Sequence, residues 1–115
     1  MGFANHKRGD WWNGAVVTIK NKLTGLPLNL TGITAKSDFK THENGEPYFS
    51  FDTANGTLPI PTPADGKIYY KARKMDVPAN RYVFDLELTD ALGRPTTYAT
   101  SEWIITQDIT ANGSI

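Results

Sequence analysis

His6 and His42 are the only histidines in the chain, and there is no cysteine. Thiolate nucleophiles, thiolate zinc sites and disulfides are therefore excluded, and two imidazoles are too few for a histidine-only metal centre. A nucleophilic serine needs a base and a strained turn to present it, and no G-x-S-x-G elbow occurs. Asp85 and Glu87 are the carboxylate pair with the most suggestive spacing. Two residues apart on a strand, they stand about 6.5–7 Å apart, which overlaps the range of an inverting glycosidase. Any amphipathic strand puts such pairs on its wet face, so polar-out alternation accounts for them. Asp52 near Asn55 and Asp76 near Asn80 miss the D-x-[DN]-x-[DN]-G calcium pattern. They read as turn formers. Neither G-x-x-x-x-G-K nor G-x-G-x-x-G is present to cradle a phosphate. Arg8-Gly9-Asp10 spells the adhesive tripeptide read by integrins, but it runs into Trp11-Trp12, where the glycine serves a bend. Three N-x-[ST] sequons begin at Asn29, Asn55 and Asn112 and read as turn chemistry. No catalytic residue, metal ligand or cofactor is assigned.

The residues that remain unusual are adjacent large apolar pairs: Trp11-Trp12, Tyr48-Phe49, Tyr69-Tyr70 and Ile104-Ile105. Neighbours on a strand point to opposite faces. One member of each pair can enter a core, so the other must point outward, and register decides which. Outward rings on a small domain cover something. Loops or the N-terminal segment can do so within the chain, protein neighbours can do so between chains, and sugar rings can stack on them. The reading taken is burial against protein neighbours. Its candidate contact residues are Arg8, Trp11, Tyr48, Tyr69, Tyr70 and Ile104.

The elements that must position these residues are short strands. Ten glycines and 7 prolines interrupt every window in which a helical period could establish itself. Residues 12–20, 33–41, 48–52, 67–73, 81–89, 95–99 and 102–108 read as strands, with a brief pairing over 57–60. The clearest is 81–89, where Tyr82, Phe84, Leu86 and Leu88 share one face. Asp90-Ala91-Leu92-Gly93 reads as a hairpin loop. Seven or eight such strands predict an all-β, immunoglobulin-like antiparallel β-sandwich, with Trp103 or Trp12 as its central aromatic. Residues 1–110 read as a single domain that opens with an N-terminal arm over 1–10, and 111–115 as a C-terminal tail.

At 115 residues the chain suits one domain, which hides roughly two-thirds of its surface on folding. Hydrophobic residues make up 39% and charged residues 21%, which argues against disorder. Twelve basic residues balance 12 acidic ones, so there is no basic excess to attract nucleic acid. A neutral chain also lacks the self-repulsion that keeps monomers apart. No run approaches the roughly 18 apolar residues of a membrane helix. No apolar segment resembling a signal peptide opens the sequence.

Five segments carry a resemblance. They are Lys7-Arg8-Gly9-Asp10-x-Trp12, Asn29 to Lys36, Tyr82-x-x-Asp85-Leu86-Glu87-Leu88-Thr89, Gly93-Arg94-x-x-Thr97-Tyr98, and Trp103 to Thr110. In that order they resemble the small immunoglobulin-like domain of tailed-phage tail and baseplate proteins. The N-terminal domain of the upper-baseplate proteins of lactococcal-type phages is similar. The match covers both ends of the chain and is weak over about residues 39–75. The resemblance implies a β-sandwich, a virion location in the tail or baseplate, assembly in the host bacterial cytoplasm, and contact with other virion proteins and copies of itself. It implies no catalytic residue. Because no receptor-binding domain follows residue 115, the expected role is an adaptor or ring subunit. A capsid decoration or fibre-anchoring protein and a carbohydrate-binding domain for host surface glycans are the alternatives.

Overall fold

The computed structural model describes residues 2–107. Nine strands follow in chain order: β1 (His6–Lys7), β2 (Trp11–Trp12), β3 (Ala15–Thr18), β4 (Thr34–Lys40), β5 (Phe49–Asp52), β6 (Lys67–Tyr70), β7 (Arg73–Lys74), β8 (Asn80–Thr89) and β9 (Pro95–Thr106). A single 3₁₀ turn, Pro63–Asp65, precedes β6, and no α-helix occurs among the described residues. The protein is all-β, as expected. The strand count differs because two expected strands are split, two are merged into one, and β1 was not expected.

Alternation builds the main sheet, whose strand order is β1-β9-β8-β4-β5. Along β8, Tyr82, Phe84, Leu86 and Leu88 are buried, and Arg81, Val83, Asp85 and Glu87 stand on the other side. β4 repeats the pattern with Ala35, Ser37 and Phe39 inside. Residues 95–99 and 102–106 form one strand instead of two. Leu86 faces Ala99 but Glu87 faces Thr97, so Tyr98 is the extra residue of a bulge that bends β9 without ending it. The expected end of this strand at Asp108 lies outside the described residues, as does the 111–115 tail.

A ribbon covers the inner face of this sheet. β3 pairs antiparallel with β6, and β2 with β7, so residues 11–18 run against 67–74 with one interruption. The interruption has a steric cause. Gly14 has φ +82°, and a Cβ there would sit 2.3 Å from the Tyr70 carbonyl oxygen. Only glycine allows the backbones to approach this closely. The break also shifts parity, so Trp12 and Ala15 both pack on the core. Residues 57–59 lie beside β6 without forming a named strand: Tyr69 N–H donates to the Pro59 carbonyl (3.1 Å) and Lys71 N–H to the Thr57 carbonyl (3.0 Å).

The core between the two layers is aromatic. Trp103 is fully buried and is the central aromatic. Its indole meets Trp12 at 4.7 Å and Phe39 at 5.8 Å between ring centroids. The layers are also pinned by polar contacts. Tyr70 O–H donates to Ser37 Oγ (3.1 Å), and Ser37 O–H donates to the Asp85 carbonyl (2.7 Å). Burial pushes the Tyr70 phenol up to about 12, partly offset by the Ser37 bond, so it stays neutral.

The N-terminal segment departs from expectation. An arm free to lie along a neighbour was predicted, but residues 3–8 are built into the fold. Phe3 sits 5.0–5.2 Å from the rings of Trp12, Tyr70, Phe84 and Trp103. Trp103 Nε1–H donates to the Ala4 carbonyl (2.9 Å). β1 then pairs parallel with β9, His6 against Ile105. The main sheet is therefore mixed and not purely antiparallel, because β1 lies parallel to β9 at its edge.

Candidate interaction surfaces

Each doublet resolves into one inner and one outer residue. Trp11 is 62% exposed while Trp12 packs on the core. Tyr48 is 54% exposed and Phe49 is buried. Tyr69 is half-buried and Tyr70 is in the core. Ile104 is 39% exposed and Ile105 is buried. Tyr70 is therefore no surface contact residue. Its parity on β6 is that of Ile68, which turns it toward Ser37, Phe39 and Phe51.

The remaining candidates do not form one patch. Trp11 and Tyr69 stand on the outer side of the ribbon, roughly 15 Å apart along it. Val16, directly opposite Tyr69, is exposed beside it, and Lys74 is opposite Trp11. Arg8 and Tyr48 flank Tyr82 at one end of the molecule. Burial raises the Tyr82 phenol above its ordinary range, Tyr48 adds to the rise, and the Arg8 charge opposes it. The Tyr48 ring meets that of Tyr82 at 5.7 Å. Ile104 lies on the outer face of the main sheet, opposite Arg81.

That outer face holds a groove of about 720 Å³. Three cations, Lys36, Lys40 and Arg81, and five carboxylates, Asp85, Glu87 and Glu102 among them, line it. Lys36 pairs with Asp38 at 4.0 Å, and Arg81 pairs with Glu102. Among the described residues, Asp85 and Glu87 carry no ion pair. They occupy the solvated face that alternation predicts, with Lys36 opposite Glu87. A smaller apolar cavity of about 270 Å³ opens near the β8–β9 hairpin, lined by Leu28, Ile33, Leu88 and Tyr98. Asp90 and Arg94 stand at its rim, joined at 2.7 Å. The Arg94 backbone N–H, then its guanidinium and the Leu92 N–H, hold the Asp90 carboxyl below its ordinary range.

Local geometry accounts for several motifs. His6 Nε2 lies 3.1 Å from the Asp10 carbonyl, whereas His42 sits in the β4–β5 loop beside Thr41. The two imidazoles thus belong to separate elements. Among the described residues no group of three or more His, Asp or Glu is placed to hold a metal ion. Gly9 has φ +89° and makes the bend between Arg8 and Asp10. Its N–H donates to the Met75 carbonyl (2.7 Å). At two of the sequons the asparagine closes its own turn. Asn29 Oδ1 accepts from Thr31 N–H (3.0 Å), and Asn55 Oδ1 from Thr57 N–H (3.0 Å). The third sequon, at Asn112, lies outside the described residues.

Sequence reasoning missed Val16, Leu23, Leu26 and Leu92, all well exposed. Val16-Val17 obeys the same rule as the aromatic doublets and was legible from it. The three leucines lie in turns, where no periodicity marks a side chain as outward. No protein-family model, curated protein or solved structure matches this chain significantly.

Proposed function

We propose that this protein is a non-enzymatic structural subunit of a tailed-phage virion, in the tail or baseplate, acting through protein–protein assembly. The ordered resemblance of five segments supports the virion assignment. The observation that carries the assembly role is the outward stance of one large apolar residue from each of three doublets: Trp11, Tyr48 and Ile104. Trp and Tyr are among the residues enriched in protein interfaces.

An immunoglobulin-like sandwich is the fold this reading expects, and the topology supports it. The order β9-β8-β4-β5 corresponds to a G-F-C-C′ sheet, and the β3–β6 pair to strands B and E. Tyr82, near the start of β8, donates its O–H to the Pro78 carbonyl four residues upstream (2.5 Å). That bond resembles the tyrosine corner of such domains. Two residues later, where antibody domains carry a cysteine of the inter-sheet disulfide, stands Phe84, stacked between Phe3 and Phe39.

Immunogold electron microscopy of particles from the source, with antibody to this chain, tests the assignment. Gold at the tail or its tip is the expected result. Gold on the capsid would replace it with the decoration role. Absence of the chain from purified particles, by mass spectrometry, would overturn it. A glycan-binding reading has Trp11 behind it, as an exposed indole on which a sugar ring can stack. Glycan-array binding lost in a folded Trp11→Ala variant would favour that reading.

A further inference from the structure

The chain is neutral as a whole but its layers are not. Segments 10–22 and 57–76, which build the ribbon layer, hold six of the 12 Lys and Arg and three of the 12 Asp and Glu. Segments 6–9, 34–56 and 80–107, which build the main sheet and its loops, hold six and eight. Each layer presents its charge on its outer side, because alternation sends the apolar residues inward.

The two outer sides also differ in shape and in what their charges meet. The ribbon presents Trp11, Val16 and Tyr69, fringed by exposed Lys67, Lys71 and Lys74. Among the described residues these three lysines make no ion pair. The main sheet presents the 720 Å³ groove, where five carboxylates outnumber three cations and, among the described residues, Asp85 and Glu87 make no ion pair. One face thus offers apolar side chains ringed by ammonium groups, and the other a concavity with free carboxylates.

We infer that the two faces are halves of one contact: the ribbon strip of one copy seats in the acidic groove of a second copy. The inference rests on the reading of the chain as an assembly subunit and names one of its partners as itself. The strip and the groove lie on opposite layers of the same molecule. The contact is therefore heterologous, and repetition gives a ring if the rotation closes and a filament if it does not. Neutrality of the whole chain follows as a consequence, since the charges are balanced between copies that stack.

Sedimentation of the full chain over a range of concentrations tests this at about 0.1 M and about 1 M salt, where the Debye length falls from about 10 Å to about 3 Å. The expected result is association at the lower salt and loss of it at the higher. Reversing the groove (Asp85→Lys with Glu87→Lys) or the strip (Lys71→Glu with Lys74→Glu) should each weaken association by more than about 100-fold through like-charge contact. The deciding experiment mixes the two variants. One keeps an intact strip and the other an intact groove, so the mixture should form a one-to-one pair and grow no further. Formation of that pair also shows that both variants are folded. A wild-type chain that stays monomeric at the lower salt overturns the inference. So does a mixture that stays monomeric while the wild type associates. In either case, a chain still found in the tail by immunogold leaves the virion reading standing, with a different neighbour on these faces.

Discussion

The Trp103 cluster and the ribbon's outer strip draw on the same doublets but do opposite work. Inside, Trp12, Phe3 and Phe39 close around one indole, Phe84 stacks between Phe3 and Phe39, and every ring has ring neighbours within about 6 Å. Outside, Trp11 and Tyr69 stand apart, with lysines between them and solvent beyond. The adjacent tryptophans differ in environment only because β2 gives them opposite faces. Stability and recognition are thus carried by different members of the same pairs, and substitutions should separate the two.

The largest effect is expected at the centre. Trp103→Ala removes the largest fully buried side chain and leaves the Ala4 carbonyl without its indole donor. It should cost about 3–5 kcal/mol, as large core truncations do, measured as a fall in denaturant midpoint at constant slope. A loss under about 1 kcal/mol would mean that the cluster does not hold the layers together.

Phe3→Ala comes next, at about 2–3 kcal/mol, since Phe3 is only partly enclosed. This variant sharpens the comparison, because it asks whether the N-terminal segment belongs to the core or to the surface. A neutral outcome would return residues 1–10 to the role of a free arm.

That uncertainty shows where the sequence was legible. Strands with strict alternation, such as 81–89 and 34–40, were readable because a two-residue period has few competing explanations. The outward member of each doublet was predictable in kind but not in identity, since register depends on pairing partners the sequence does not name. Gly14 was invisible as a break: its need arises from the Tyr70 carbonyl, distant in sequence. The parallel docking of His6–Lys7 was equally hidden, because a two-residue strand has no period to detect. Of the six candidate contact residues, Tyr70 lies in the core, because its register on β6 turns it inward.

A third prediction concerns pH. The Tyr70 phenol is raised from 10.0 to about 12 by burial. The unfolded chain therefore gives up this proton more readily than the folded one. The corresponding stability is fully present below pH 10 and is lost as pH rises toward 12. The loss should reach roughly 2–3 kcal/mol for a shift of this size. Tyr70→Phe should flatten that alkaline limb while sacrificing about 1 kcal/mol at neutral pH through the missing Ser37 bond. An unchanged alkaline limb in the variant would place the titrating group elsewhere.

The smallest expected change in stability is at Trp11, and it sets the two regions most sharply apart. At 62% exposure the indole has little to lose on truncation, so Trp11→Ala should alter stability by no more than about 0.5 kcal/mol. The same substitution should reduce association between copies by about tenfold or more if the ring lies in the contact, because buried aromatic anchors dominate interfaces. Lys74, directly opposite, provides the control. Lys74→Ala should mainly change the salt dependence of association, as a rim charge does. A Trp11→Ala variant that unfolds instead would show that the outer ring covers its own chain, and the division of labour within the doublet would collapse.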